Sequence, residues 1–440
     1  MYAPRAVKWA ALSCSLLWAT VGLAQPLPRL YVGAQNGGLN VINAGTGAAV
    51  ATVIASGTPM GIAVHPAQST IFVTAHTGGT VSAVNTGSNT VAWSVATGSR
   101  PHGVAVSNTG TELIVANMGG NTASIIDVAT RTAVATVPVQ NAPAGVAVSP
   151  NAPIAYVANA GSASISVISL TSRTVVATWT TGSNPLGLAV SPDGSKLYVA
   201  NNGNASLSVL NTANGLPLTS VRTGGHASGV AISPNGGLIV VTNSFSGSAT
   251  IIRASDYVVL ATVSVGSSPV GVAIASDSSA AFVVNSGSNS VSRIDLATNT
   301  ATVAFAATSA MPANLGSFYV SALPCTLDVD RSGGAVSPMT DGILVLRYLF
   351  GLRGSALTAG AIGAAATLTP DEIVSNIAAL NFDADGDAAA RGTTDGLLIL
   401  RLMLGLNGTA LTTGASAVAG ISDATVLSNV RAQHGASCFM

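Results

Sequence analysis

Short apolar runs separated by turn-forming residues dominate this chain. Between residues 185 and 222 four such runs stand in succession: Gly187-Leu188-Ala189-Val190, Leu197-Tyr198-Val199-Ala200, Leu207-Ser208-Val209-Leu210 and Leu218 to Val221. Ser191-Pro192-Asp193-Gly194 closes the first and Asn201-Asn202-Gly203 the second. The runs are too short for helices, roughly alternate, and are rich in β-formers, so each predicts a strand. The whole four-run unit then recurs. A Pro-x-Gly signature places glycine at Gly61, Gly103, Gly145, Gly187, Gly229 and Gly271, each 42 residues after the last. Proline stands two residues earlier at Pro59, Pro101, Pro143, Pro185 and Pro269, and Ala227 replaces it in the fifth copy.

The repeated residues have separable physical roles. Proline sets φ at the entry to the first strand and stays out of the ladder. Glycine, without a Cβ, permits close approach of another backbone, which suits the innermost strand of a radial array. An asparagine follows the second strand at Asn117, Asn159, Asn201, Asn243 and Asn285, and Asp127 and Asp295 end third strands. Short polar side chains at such places predict turns bonded to nearby backbone.

Units of four strands and about 40–45 residues define a β-propeller. Complete units begin at residues 59, 101, 143, 185, 227 and 269, and residues 30–55 supply three further strands, LYVGA, LNVIN and AVATVI. A strand over 316–321 completes that triplet, so residues 30–321 predict seven blades, the first closed by both ends of the region. Closure of this kind removes exposed sheet edges. The segments YVGAQNGG, LIVANMGGNTASIIDVATRTAVATV, YVANAGSASISVISL and LYVANNGNASLSVLNT resemble YVTN-type propeller repeats. That resemblance implies a propeller of secreted and cell-surface proteins and leaves the activity open.

Composition changes the picture at both ends. Arg5 and Lys8, an apolar run from Trp9 to Leu23 and the small-residue stretch Gly22-Leu23-Ala24 read as a signal peptide over residues 1–24, cut after Ala24. No later run is long and apolar enough for a transmembrane helix. A secreted, periplasmic or cell-surface location follows. After removal of the signal two cysteines remain, Cys325 and Cys438. They predict one disulfide in an oxidising compartment. Charged residues are only 7% of the chain and the net charge is zero, with no basic stripe to neutralise phosphates. Nucleic-acid binding is excluded on that ground.

The C-terminal part has a different character. Beyond Cys325 lie ten of the sixteen acidic residues, and DGILVLRYLFGLRGSALTAG at 341–360 is repeated as DGLLILRLMLGLNGTALTTG at 395–414. Each copy follows a carboxylate-rich loop. Alternate residues of a tight loop converge on one point, and calcium takes six to eight oxygens. Asp328, Asp330, Ser332 and Asp341 form one expected ligand set, and Asp383, Asp385, Asp387 and Asp395 the other, for two calcium ions. Metal binding would fasten each loop to the helix that follows and supply folding energy to a small core. Arg347 and Arg401 stand at matching places, suited to bonding helix-end or loop carbonyls. Residues 325–438 resemble dockerin-type duplicated calcium modules, which implies a small α-helical domain and a cohesin-like partner. The closing Asp lies later than in that family, and Ala388 stands where its loop glycine is expected.

Propeller ligands sit at the mouth of the central channel. Residues inside Pro-x-Gly and immediately before it should ring one mouth, and most of them are small or apolar. The exceptions are Arg100, His102, Asn184 and His226, the expected ligand mouth. The propeller has six acidic residues, most of them in turns, and no repeated His or carboxylate position suggests an axial metal. The chain therefore reads as an exported, non-catalytic binding or scaffold protein. Its propeller would present a face to a protein or glycan, and its calcium module would serve as a clip or docking tail. The alternatives are an exported propeller hydrolase or lyase acting on a lactone or glycan, and a component of a polysaccharide-degrading assembly.

Overall fold

The computed structural model describes residues 28–33, 38–54, 57–306, 316, 318–321, 343–350 and 391–403, and positions 352, 357, 373, 377, 382, 384, 422 and 425–426. The chain divides into two compact units, one spanning Leu27–Leu323 and the other containing Pro324–Met440. The first unit is an all-β propeller of seven four-stranded antiparallel sheets. Blade 5 shows the plan: strands Pro185–Val190, Lys196–Asn201, Ser206–Asn211 and Pro217–Arg222 pair in chain order. The first blade departs from it. Its strands Arg29–Gly33, Gly38–Asn43 and Ala49–Ile54 are joined by Tyr319–Val320 from the far end of the domain.

Burial explains the apolar pattern. Second and third strands are covered on both faces by neighbouring blades, so Lys196–Asn201 is buried along nearly all its length. Such strands read as continuous apolar runs instead of alternating ones. Fourth strands form the outer rim, and Thr174–Thr180 alternates between exposed and half-buried positions.

The Pro-x-Gly period has a direct cause. A Cβ built on Gly187 would stand 2.6 Å from the Ser228 carbonyl oxygen and 3.0 Å from the Gly229 Cα, both in the next blade. On Gly229 it would stand 2.5 Å from the Val270 oxygen. Gly61, Gly103 and Gly145 face the carbonyls of His102, Ala144 and Leu186 more closely still. Each of these five glycines thus faces the carbonyl of the middle residue at the next blade's Pro-x-Gly position. The ladder leaves these residues aside: the register shifts between Pro185 and Leu188, and likewise in neighbouring blades. In blades 2 and 6 a threonine links the same groups. Thr74 Oγ1 accepts from Gly61 N at 2.8 Å and donates to His102 O at 2.6 Å. Thr242 does the same between Gly229 and Val270.

Ring closure joins Leu30 to Tyr319 and Arg29 to Val320 in register. Tyr31 N donates to Phe318 O at 2.9 Å. Tyr319 stacks on Phe282 of blade 7 with ring centroids 5.5 Å apart, and Ser321 N donates to Gln68 of blade 2 at 3.0 Å. Gly316, at φ +99°, faces the Ile62 carbonyl, directly after Gly61 of blade 2.

The recurring asparagines do not act as the turn-formers that the sequence suggests. All five are buried, and each Nδ2 donates across the blade to two hydroxyls of the third strand. Asn201 reaches Ser206 at 3.2 Å and Ser208 at 2.8 Å, and Asn285 reaches Ser290 at 3.1 Å and Ser292 at 3.0 Å. Burial makes the partner obligatory, and the strand hydroxyls supply it. Asp127 and Asp295 do cap their turns, accepting from the backbone of Thr130 and of Thr298.

In the second unit two short helices are described, Ile343–Leu349 and Leu397–Met403, the latter entered through a π-helical turn at Gly392–Gly396. Leu344, Val345, Leu398 and Ile399 are fully buried. The two copies approach closely, because a Cβ on Gly396 would stand 3.0 Å from Leu349 Cδ1. Arg347 Nη1 donates to Leu357 O at 3.0 Å, a backbone carbonyl ten residues further along the chain. Among the described residues no helix is long and apolar enough to cross a membrane.

Candidate functional site

Because the strands of a blade alternate in direction, first-strand starts and second-strand ends share one face. Arg100, His102, Asn184 and His226 all stand on it. Arg100, Ala142, Asn184 and Ser268 occupy the left-handed region, with φ of 52°, 51°, 50° and 48°. Their carbonyls accept from the turn after the second strand: Met118 N bonds Arg100 O at 3.0 Å, and Asn202 N bonds Asn184 O at 2.9 Å. The same bond pairs His76 with Thr58 and Ser244 with His226. Residues of the second-to-third-strand turns are thereby brought beside the predicted mouth residues.

The four predicted residues fall into two clusters. In the first, Arg100 Nε donates to His76 Nε2 at 3.1 Å. His76 Nδ1 lies 3.2 Å from Pro101 O, so a neutral ring with its proton on Nδ1 satisfies both contacts. The His76 ring meets that of His102 edge-on, with centroids 5.9 Å apart. His102 is buried, and its Nδ1 has no hydrogen-bond partner. Burial, with a smaller push from His76, holds its pKa down to about 4; a hydrogen bond with the Ala144 backbone opposes this, and Arg100 adds slightly to the lowering. His102 is therefore neutral at pH 7. His76 and Arg100 line an open groove of about 510 Å³ together with Thr77, Gly78, Gly79 and Ser99.

The second cluster lies on blades 5 and 6. Asn184 Nδ2 donates to Asn202 Oδ1 at 3.3 Å, and Asn202 Nδ2 donates to Ser228 Oγ at 3.3 Å and Ser244 Oγ at 3.5 Å. Ser244 Oγ donates to His226 O at 3.0 Å. The His226 ring lies against Phe245, centroids 5.5 Å apart and planes inclined by 31°, and Phe245 is 83% exposed. Blade 4 separates the clusters, and its equivalent residues Ala142, Ala144 and Ala160 are all alanine. His76, Asn202, Ser244 and Phe245 escaped the sequence reading. The signal was available: His76, Asn202 and Ser244 share one repeat position, directly after the second strand.

Of the expected calcium ligands only Asp395 lies among the described residues. It is fully buried and accepts from Ala384 N at 2.7 Å, Arg391 N at 2.8 Å and Thr394 Oγ1 at 2.9 Å. Its carboxylate therefore ties the start of the preceding loop to the helix entry. Asp328, Asp330, Ser332, Asp341, Asp383, Asp385, Asp387, Cys325, Cys438 and the signal peptide lie outside the described residues. Among the described residues no cluster of three or more His, Cys, Asp or Glu side chains could hold a metal.

No protein-family model and no curated protein matches the chain. Solved structures do. Hydrazine synthase of Kuenenia stuttgartiensis is 22% identical with a TM-score of 0.53, over 59% of this chain and 89% of its own. A functionally unknown protein from Desulfotomaculum acetoxidans is 12% identical with a TM-score of 0.58, over 66% of this chain and 99% of its own. The dihydro-heme d1 dehydrogenase NirN, in complex with DHE, is 16% identical with a TM-score of 0.50, over 64% and 67%. At such identities the likeness establishes the β-propeller fold alone.

Proposed function

We propose that this is an exported, non-catalytic binding protein whose propeller mouth takes a glycan. One observation carries the reading. The exposed Phe245 ring, backed by His226, adjoins a run of amide and hydroxyl groups, Asn184, Asn202, Ser228 and Ser244. A flat apolar face beside uncharged donors and acceptors matches a sugar ring, which offers C–H groups on one face and hydroxyls at its edge. A protein ligand is the other partner this face would accept. In this reading the signal peptide is removed after Ala24 and Cys325 bonds Cys438. Calcium held by the Asp328, Asp330, Ser332, Asp341 set and the Asp383, Asp385, Asp387, Asp395 set stabilises a tail that docks to a cohesin-like partner.

The test uses the chain from residue 25 onward, with calcium, on an array of neutral and acidic glycans. Specific capture that Phe245→Ala abolishes supports the reading. Capture that Phe245→Ala leaves unchanged, or no capture at all, refutes it. An enzymatic reading draws on His102, buried and held neutral beside the groove-lining His76, as a proton acceptor. Hydrazine synthase and NirN are enzymes by name, so the propeller fold is compatible with chemistry. Turnover of a lactone or glycan that His102→Ala removes would replace the binding reading with this one.

A further inference from the structure

The charges of the propeller are sorted by face. Glu112, Asp127, Asp193, Asp256, Asp277 and Asp295 are its six carboxylates. Every one stands at a second-strand start, a third-strand end, or a turn joining first to second or third to fourth strands. All therefore lie on the face opposite the mouth. The mouth face carries Arg100 and Arg222 instead, with His76, His102 and His226. The ion pairs Arg173–Glu112 and Arg253–Asp256 belong to the carboxylate face. Among the described residues Arg100 thus has no ion-pair partner, yet it is held in place. Its backbone sits at φ +52°, its stem crosses Gly119, where a Cβ would stand 3.0 Å from Cδ, and its Nε is committed to His76.

We infer that the groove between blades 2 and 3 is a carboxylate-binding subsite, and that the glycan taken at the mouth bears a uronate-type carboxyl group. The inference rests on the glycan reading above and adds its charge. With Nε occupied, the two Nη groups of Arg100 offer an end-on fork that matches one planar carboxylate. His102 is neutral and adds no second charge, so a monoanion fits better than a phosphate dianion. A groove of about 510 Å³ lies within the range of small-ligand sites. Thr77 and Ser99 supply hydroxyls, while Gly78 and Gly79 leave a floor without side chains. That lining suits a hydroxylated ring and offers no apolar slot for peptide side chains.

Isothermal titration of the chain from residue 25, with calcium, tests this using galacturonate oligomers, neutral galactose oligomers of equal length and a poly-glutamate peptide. The acidic oligomer should bind more tightly than the neutral one. Arg100→Gly should weaken the acidic oligomer by about tenfold or more, the worth of a charge-assisted pair. Glycine is at ease at φ +52°, so this variant keeps or raises its melting temperature, and lost binding cannot be assigned to lost fold. Arg222→Gln, on the same face but on the outer strand of blade 5, should leave affinity within about twofold, as screening predicts for a remote exposed charge. Equal affinity for acidic and neutral oligomers overturns the inference, as does full binding by Arg100→Gly or tighter binding of poly-glutamate. Neutral binding that depends on Phe245 but not on Arg100 overturns it while leaving the glycan reading intact.

Discussion

Replacing Gly187 with alanine tests the account of the 42-residue period directly. The new Cβ would stand 2.6 Å from Ser228 O and 3.0 Å from both Gly229 Cα and Val230 N. All three are backbone atoms of the next blade, held between the paired residues Ala227 and Val230, so no side chain can swing aside. Overpacking of this kind costs about 1–3 kcal/mol, and the upper part applies where only backbone can yield. Alanine returns about 0.4–1 kcal/mol by restricting the unfolded chain. The net expectation is a loss of about 2 kcal/mol, or about 4 °C in melting temperature for a domain of this size. Trp93 and Trp179 are the only tryptophans beyond residue 24, so tryptophan fluorescence reports the propeller alone. Gly120→Ala is the control. Its nearest contact is Thr122 Oγ1 at 3.4 Å, an ordinary separation, so it should be neutral or slightly stabilising. Equal melting temperatures for the two variants would refute the claim that blade contact demands glycine.

Other consequences concern the buried amides, the acid limb and the tail. Asn201→Ala removes the bonds to Ser206, Ser208 and Thr181. The same fluorescence melt should show a loss of about 2 kcal/mol, since the buried Ser208 hydroxyl is left unpaired. Asp193 is held down to about 2 by bonds from Ser191, then from the backbone and hydroxyl of Ser195. Asp127, Asp277 and Asp295 are pushed the same way, chiefly by backbone N–H bonds. A depressed folded pKa gives stability that is complete above the unfolded value and lost as pH falls through the folded one. Propeller stability should therefore decline between about pH 4 and pH 2, and urea midpoints for Asp193→Asn should fall less steeply across that window. Asp395→Asn should lower the melting point of the tail in EDTA as well as in calcium, because Asp395 holds Ala384 N and Arg391 N directly. An effect confined to the calcium-loaded protein would reduce Asp395 to a metal ligand.

Much of the fold was legible because it is written locally. Apolar runs punctuated by Asn, Gly and Pro define strands, and a fixed spacing of 42 residues defines blades and allows them to be counted. Even the Asn ladder had a trace, since Ser206 and Ser208 follow Asn201 as Ser290 and Ser292 follow Asn285. Its partners were misread as turn backbone because burial of the asparagine is a tertiary fact. Arg100, His102, Asn184 and His226 were placed on one face by their position in the repeat. Their grouping was not legible there, since blade 4 parts them and His76, Asn202, Ser244 and Phe245 arrive from other turns. A residue's own sequence neighbourhood determined which strand it joins. Which turns meet, which carbonyl each glycine must clear and which face is left without carboxylates were decided only when the ring closed, by contacts between strands and turns of neighbouring blades.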